Sequence, residues 1–133
     1  MIRRLSREIV LQSLFQIDFT ACEKEAALEA SLAEHDPKDA EKAKGYAAKT
    51  LNGILAHLQE IDEKLGQYAI DWTLERMSAT DRHILRIAVY EMMFADEIIV
   101  PGIAINEAVE IAKLYGTDDS PRFINGILGK MVK

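Results

Sequence analysis

The sequence predicts an all-α fold built as a single domain over residues 1–133. Apolar residues recur at steps of three and four along most of the chain, proline and glycine stand where helices begin and end, and no stretch alternates convincingly as a strand would. Hydrophobic residues make up 49% of the 133 positions and charged residues 29%, with only three prolines, which places the chain among folded, helix-rich globular proteins. No glycine- or proline-rich linker divides it, and no internal repeat is found.

Taken in order, the elements number six to seven. Leu5, Ile9, Val10, Leu11, Leu14 and Phe15 set a first helix over Arg4 to Phe19. Cys22 to Glu34 is rich in Ala and Glu, with Leu28 and Leu32 one turn apart, and predicts a short helix that His35 ends. Asp36-Pro37 reads as a cap followed by a first helical residue. One long central helix then follows, carrying Ala47, Leu51, Ile54, Leu58, Ile61 and Leu65 on one face and closed by Gly66. That face suits a bundle core, or the contact of a helical homodimer. Tyr68, Ile70, Trp72 and Leu74 form an apolar connector with room for a short helix from Trp72 to Arg76.

Ser78-Ala79-Thr80-Asp81 has the form of a capping box, and the helix behind it is expected to reach about Ala95 with Ile84, Leu85, Ala88, Val89 and Met92 inward. Ile98 to Gly102 is too short to stand as a helix. From Ile103 to Tyr115 an amphipathic helix is expected, ended by Gly116 in the left-handed conformation that glycine tolerates. Ser120 and Pro121 then read as the cap and first residue of a last helix, whose inner face holds Ile124, Ile127 or Leu128, and Met131. The result is a helix, a tight acidic turn and a second helix.

Few chemical constellations survive inspection. Cys22 is the only cysteine, which excludes an intramolecular disulfide and a thiolate zinc cluster and agrees with a reducing cytosol. His35, His57 and His83 lie far apart without HExxH spacing, and nucleotide-binding glycine motifs and GxSxG are missing, so no catalytic residue, metal or cofactor is expected. Asp118 and Asp119 could offer oxygen ligands to a hard cation, but carboxylates before a helix are explained more simply by the helix dipole. No apolar run approaches a membrane span, and charges interrupt the first residues where a secretory signal would be apolar; a cytoplasmic protein is expected.

The net charge of −6 argues against a surface that is basic throughout. Residues 1–20 are the exception: Arg3, Arg4 and Arg7 face only Glu8 and Asp18, a local net charge of +1. Guanidinium groups at a helix N-terminus oppose the dipole there and suit a phosphate partner. Phe123, beside Arg122 and outside the inner stripe of its helix, offers a stacking face for an unpaired base or a core contact.

Three segments carry a family resemblance: RRLSREIVLQSLFQ from Arg3 to Gln16, WTLERMSATDRHILRIAVYEM from Trp72 to Met92, and INEAVEIAKLYGTDDSPRFINGIL from Ile105 to Leu128. Together they cover about half of the chain and resemble the bacterial antitermination factors of the NusB family. The resemblance implies two packed helical sub-bundles without catalytic activity. It also implies binding of the boxA element of ribosomal RNA leader transcripts together with ribosomal protein NusE, and through them an indirect link to other Nus factors and RNA polymerase. Carried onto this sequence, the RNA contacts fall on Arg3, Arg4 and Arg7, on Gln12 and Phe15 of the first helix, and on Asp119 and Phe123 at the acidic turn. The NusE side falls on Asp81, Arg82 and Glu91. The N-terminal arm is shorter and less basic than in some members, and the Pro101 to Ile105 connector is about a residue shorter than in others. A similar helical domain opens some ribosomal RNA cytosine methyltransferases, which leaves a fragment of such an enzyme as the alternative.

Overall fold

The computed structural model describes residues 2–69 and 73–132. Seven α-helices stand among them: α1 (Ile2–Thr20), α2 (Lys24–Leu32), α3 (Pro37–Ala56), α4 (Leu58–Tyr68), α5 (Ala79–Val89), α6 (Pro101–Tyr115) and α7 (Ser120–Met131). A 3-10 turn at Leu74–Arg76 precedes α5, and a π-helical turn at Tyr90–Phe94 continues it. No strand occurs among the described residues. Ile70 and Trp72 of the predicted apolar connector lie outside the described residues.

The helices form two sub-bundles. In the first, α1 packs on α2 and α3; in the second, α4, α5, α6 and α7 pack on one another, and α1 joins the two through α5. One core runs through both, including Ile9 and Leu11 of α1, Leu51 and Ile54 of α3, Ile61 and Leu65 of α4, Leu85 of α5, Ile111 of α6 and Leu128 of α7.

The expected long central helix is two helices. It breaks at His57, whose φ of −111° and ψ of 18° leave the helical region while its N–H still reaches the carbonyls of Gly53 and Ile54. The break lets α3 follow α1 and turns α4 toward α5 and α7. It therefore marks the seam between the sub-bundles. Ala47, Leu51, Ile54, Ile61 and Leu65 are all buried within the chain, so this face is spent on the core and is not open to a second copy. Gly53 lies directly under the Tyr90 ring, where an added Cβ would overlap the phenol.

Several caps match the sequence reading. Asp36 accepts from the N–H groups of Lys38 and Asp39 ahead of α3, and Ser78 accepts from that of Asp81 ahead of α5. Two ends differ. Helix α6 begins at Pro101, because proline at the first helical position sacrifices no hydrogen bond there. Gly116 is extended, with φ −97° and ψ −169°, so its role is not the left-handed turn. A Cβ at Gly116 would strike the side chain of Ser120 and lie 3.0 Å from the carbonyl of Ala112. Ser120 is itself buried and is not the expected helix cap: its hydroxyl accepts from the N–H of Thr117 at 3.0 Å and so pins the turn. The absence of a side chain at Gly116 is what allows this tight closure.

Candidate nucleic-acid interface

The arginine cluster separates into three environments. Arg3 is exposed, and its guanidinium lies 4.7 Å from the centroid of the Tyr46 ring on α3. Arg4 makes a forked pair with Glu107 of α6, at 3.0 Å through Nε and 2.7 Å through Nη2, and its side chain remains 41% exposed. The bonds from Arg4 hold the Glu107 carboxyl below the usual carboxylate range.

Arg7 and Glu91 correct the sequence reading. Arg7 is only 4% exposed and Glu91 1%. The Arg7 Nε stands 3.0 and 2.9 Å from the two Glu91 carboxylate oxygens, and Nη1 reaches Glu107 at 3.3 Å. The Tyr46 hydroxyl donates to the same Glu91 carboxylate. Burial and that carboxylate push the phenol up to about 12, so it stays protonated. A side chain enclosed in this way has no face for an RNA phosphate or a protein partner. The π turn puts Glu91 in this position, and the Glu91 carbonyl accepts the N–H of Ile99 at 2.8 Å, tying down the segment that leads to α6. Spacing offered a signal: Arg7 shares a helical stripe with Val10, Leu11 and Leu14, and Glu91 shares one with Ile84, Ile87 and Ala88, all of them buried.

Long side chains link α1 and α6 in the same order along both helices. Arg4 meets Glu107, and farther along, Tyr115 donates to Glu8 at 2.8 Å and accepts from Gln12 at 3.2 Å. Tyr115, the last residue of α6, thus reaches the middle of α1, and Gln12 lies about 12 Å along the helix axis from Arg4 at 1.5 Å per residue. Gln12 is half-buried and also bonded to His35 at 2.9 Å. Phe15 is half-buried, stacked on Phe19 at 6.2 Å and edge-on to His83 at 5.9 Å. Both side chains are thus engaged with neighbouring groups of the chain.

Asp119 is exposed and Phe123 half-buried, and they line one cleft of about 230 Å³ together with Arg76, Ser78, Asp81 and Ser120. The cleft offers an aromatic edge, a cation and carboxylates in one place. Asp81 Oδ1 is shielded from solvent and has no hydrogen-bond partner among the described residues. Arg82 instead turns back to the chain, donating to the carbonyl of Leu74 at 2.9 Å. Sequence reasoning passed over Tyr46, Glu107, Tyr115 and Arg76. Tyr46 and Tyr115 could have been noticed as aromatic residues on helices that flank the arginine-bearing α1.

His83 Nε2 lies 2.5 Å from Asp18, and Arg86 Nη1 lies 3.4 Å from the His83 Nδ1, while Arg86 Nε and Nη2 hold Asp62 in a forked pair at 2.8 Å each. Burial lowers the His83 pKa despite Asp18. The neutral ring satisfies both neighbours, with Nε2–H donating to Asp18 and Nδ1 accepting from Arg86. Among the described residues no group of His, Cys, Asp and Glu is arranged to hold a metal, and no helix is long and apolar enough to cross a membrane.

The fold defines a helical module of two sub-bundles, with the arginine-bearing start of α1 on its surface and a separate cleft at the turn into α7. The model of the NusB family matches residues 4–133, and the chain belongs to that family. It is 44% identical over 131 residues to the transcription antitermination protein NusB of Salinispora arenicola, covering 98% of this chain and 95% of that relative. Among solved structures it is similar to T. maritima NusB, with 39% identity, a TM-score of 0.81, and coverage of 97% of this chain and 89% of that one. A structure of antitermination factors NusB and NusE in complex with double-stranded RNA shares the fold at a TM-score of 0.79 and 22% identity, covering 98% of this chain and 95% of that one.

Proposed function

We propose that this chain is a transcription antitermination protein that binds the boxA element of ribosomal RNA leader transcripts together with the ribosomal protein NusE. It acts by binding, without catalysing a reaction, in the bacterial cytoplasm where transcription takes place. The observation that carries the reading is the near full-length match to antitermination proteins of the NusB family, 44% identical over 98% of the chain. The geometry agrees with it. Beside Arg3 at the start of α1, Arg4 keeps a cationic side chain 41% exposed that suits a phosphate, and Asp119 and Phe123 line a separate cleft that suits an unpaired base. Asp81, with an unpartnered carboxylate oxygen beside that cleft, and Arg82 remain the proposed NusE-facing residues. Through RNA and NusE the protein joins other Nus factors on RNA polymerase.

The test is terminator read-through in a purified transcription system with NusE and the other Nus factors. Read-through is expected to rise on adding the protein only when the leader carries boxA. Equal read-through with and without the protein on a boxA leader would overturn the proposal.

A further inference from the structure

A second cleft lies between the start of α1, the middle of α3 and the segment after the π turn. Arg3, Tyr46, Lys49, Tyr90, Asp96 and Glu97 line it, so that two cations face two carboxylates and phosphate has to displace Lys49 from Asp96. Tyr46 has its hydroxyl committed to the buried Glu91, so the phenol cannot swing, and the Arg3 guanidinium lies over its ring at 4.7 Å. Arg3 is thereby held as a flat cation with its outer side toward solvent. Next to it, the Lys49 ammonium stands 3.3 Å from Asp96, with the two side chains 56% and 81% exposed. Such a solvated pair contributes little and yields readily to a stronger anion.

An exposed guanidinium plane backed by an aromatic ring, with a loosely held ammonium beside it, matches the needs of a single-stranded nucleotide. The base stacks on the plane, and the phosphate meets the ammonium. Neither group lines the cleft of Asp119 and Phe123 at the acidic turn. We infer that Arg3, backed by Tyr46, and Lys49 form an additional nucleotide subsite that extends the RNA path beyond the N-terminal end of α1 onto α3. This rests on the RNA-binding reading above. In the bound state the Lys49 ammonium exchanges Asp96 for phosphate, while Arg3 keeps its place on Tyr46.

The test uses the full chain and single-stranded boxA-containing RNA long enough to overhang the element on both sides, with 4-thiouridine placed at successive positions. Crosslinks from one overhang are expected in the peptide bearing Tyr46 and Lys49. Lys49→Ala is expected to lower the salt slope of binding by about 0.7, as loss of one single-strand phosphate contact does, and Lys49→Glu to weaken binding further. Tyr46→Leu, which leaves the Arg3 plane without its backing ring, is expected to weaken binding about fivefold, the low end of the loss of one stacked base. Because that variant also disturbs Glu91, the Lys49 variants and the crosslinks decide the outcome. Wild-type affinity and salt slope in both Lys49 variants, with no crosslink to α3, would overturn the subsite while leaving RNA binding intact. Failure of the wild-type chain to bind RNA, with NusE or without, would refute the RNA reading itself and the subsite with it.

Discussion

Replacing Glu91 by alanine removes the one carboxylate that holds both the Arg7 guanidinium and the Tyr46 hydroxyl. Arg7 is 4% exposed, so water cannot take over, and its remaining partner is Glu107 at 3.3 Å. Breaking a buried ion pair from one side costs about 3–5 kcal/mol, because the surviving charge is left uncompensated. Domains of this size have about 5–15 kcal/mol in total, so the loss consumes a large share of it. Urea denaturation should report that loss, and the thermal midpoint should fall by about 10–20 °C. Glu91→Gln, which keeps an acceptor and loses the charge, should fall between alanine and wild type. The apolar replacement Arg7→Met with Tyr46→Phe and Glu91→Leu should recover most of the stability, since a well-packed apolar set often equals a buried ionic one. A loss under about 1 kcal/mol for Glu91→Ala would refute the reasoning, because it would mean that Arg7 is solvated.

Gly116→Ala should destabilise by about 1–3 kcal/mol in chemical denaturation, the usual range for overpacking, because its Cβ has no room beside Ser120. Ala21 follows α1 with φ at 51°, a left-handed conformation that costs a non-glycine residue about 1 kcal/mol; Ala21→Gly should raise stability by roughly that amount in the same assay. His83 has a folded pKa below its unfolded value near 6.5, so the unfolded chain binds more protons in the window between them. Its contribution to stability is therefore complete above about pH 6.5 and is lost as pH falls toward the folded value. His83→Gln should flatten that part of a stability-against-pH curve.

Much of the fold is legible in the sequence because local signals agree. Asp36-Pro37 and Ser78 to Asp81 mark helix starts through side chains that bond the neighbouring backbone, and such bonds need no knowledge of the rest of the chain. The break at His57 is not legible in the same way. The apolar spacing continues across it from Ile54 to Ile61, and the break meets a tertiary demand, that α4 leave α1 and join α5 and α7. Gly116 is recognisable as the end of a helix, but its reason is the approach of Ser120, four residues later, and not its backbone angle.

The candidate interface is legible in part. Arg3, Arg4, Asp119 and Phe123 can be picked out by residue type and position, and each retains some exposure. Arg7 and Glu91 carry charges that suggest a surface, yet their spacing places them on buried stripes, and only the fold brings the two together across 84 residues. Charge type prevailed over periodicity in the reading of these two residues, and periodicity was the better guide. Tyr46 shows the complementary limit: nothing in its local sequence announces that it will brace Arg3 from one side and Glu91 from the other.

The central claim is that this surface takes boxA RNA jointly with NusE, and the most direct measurement is RNA affinity with and without NusE at fixed salt, using boxA and a scrambled control. The account predicts tighter binding of boxA when NusE is present and little change for the scrambled RNA. Equal affinity for the two RNAs, unaltered by NusE, would contradict it.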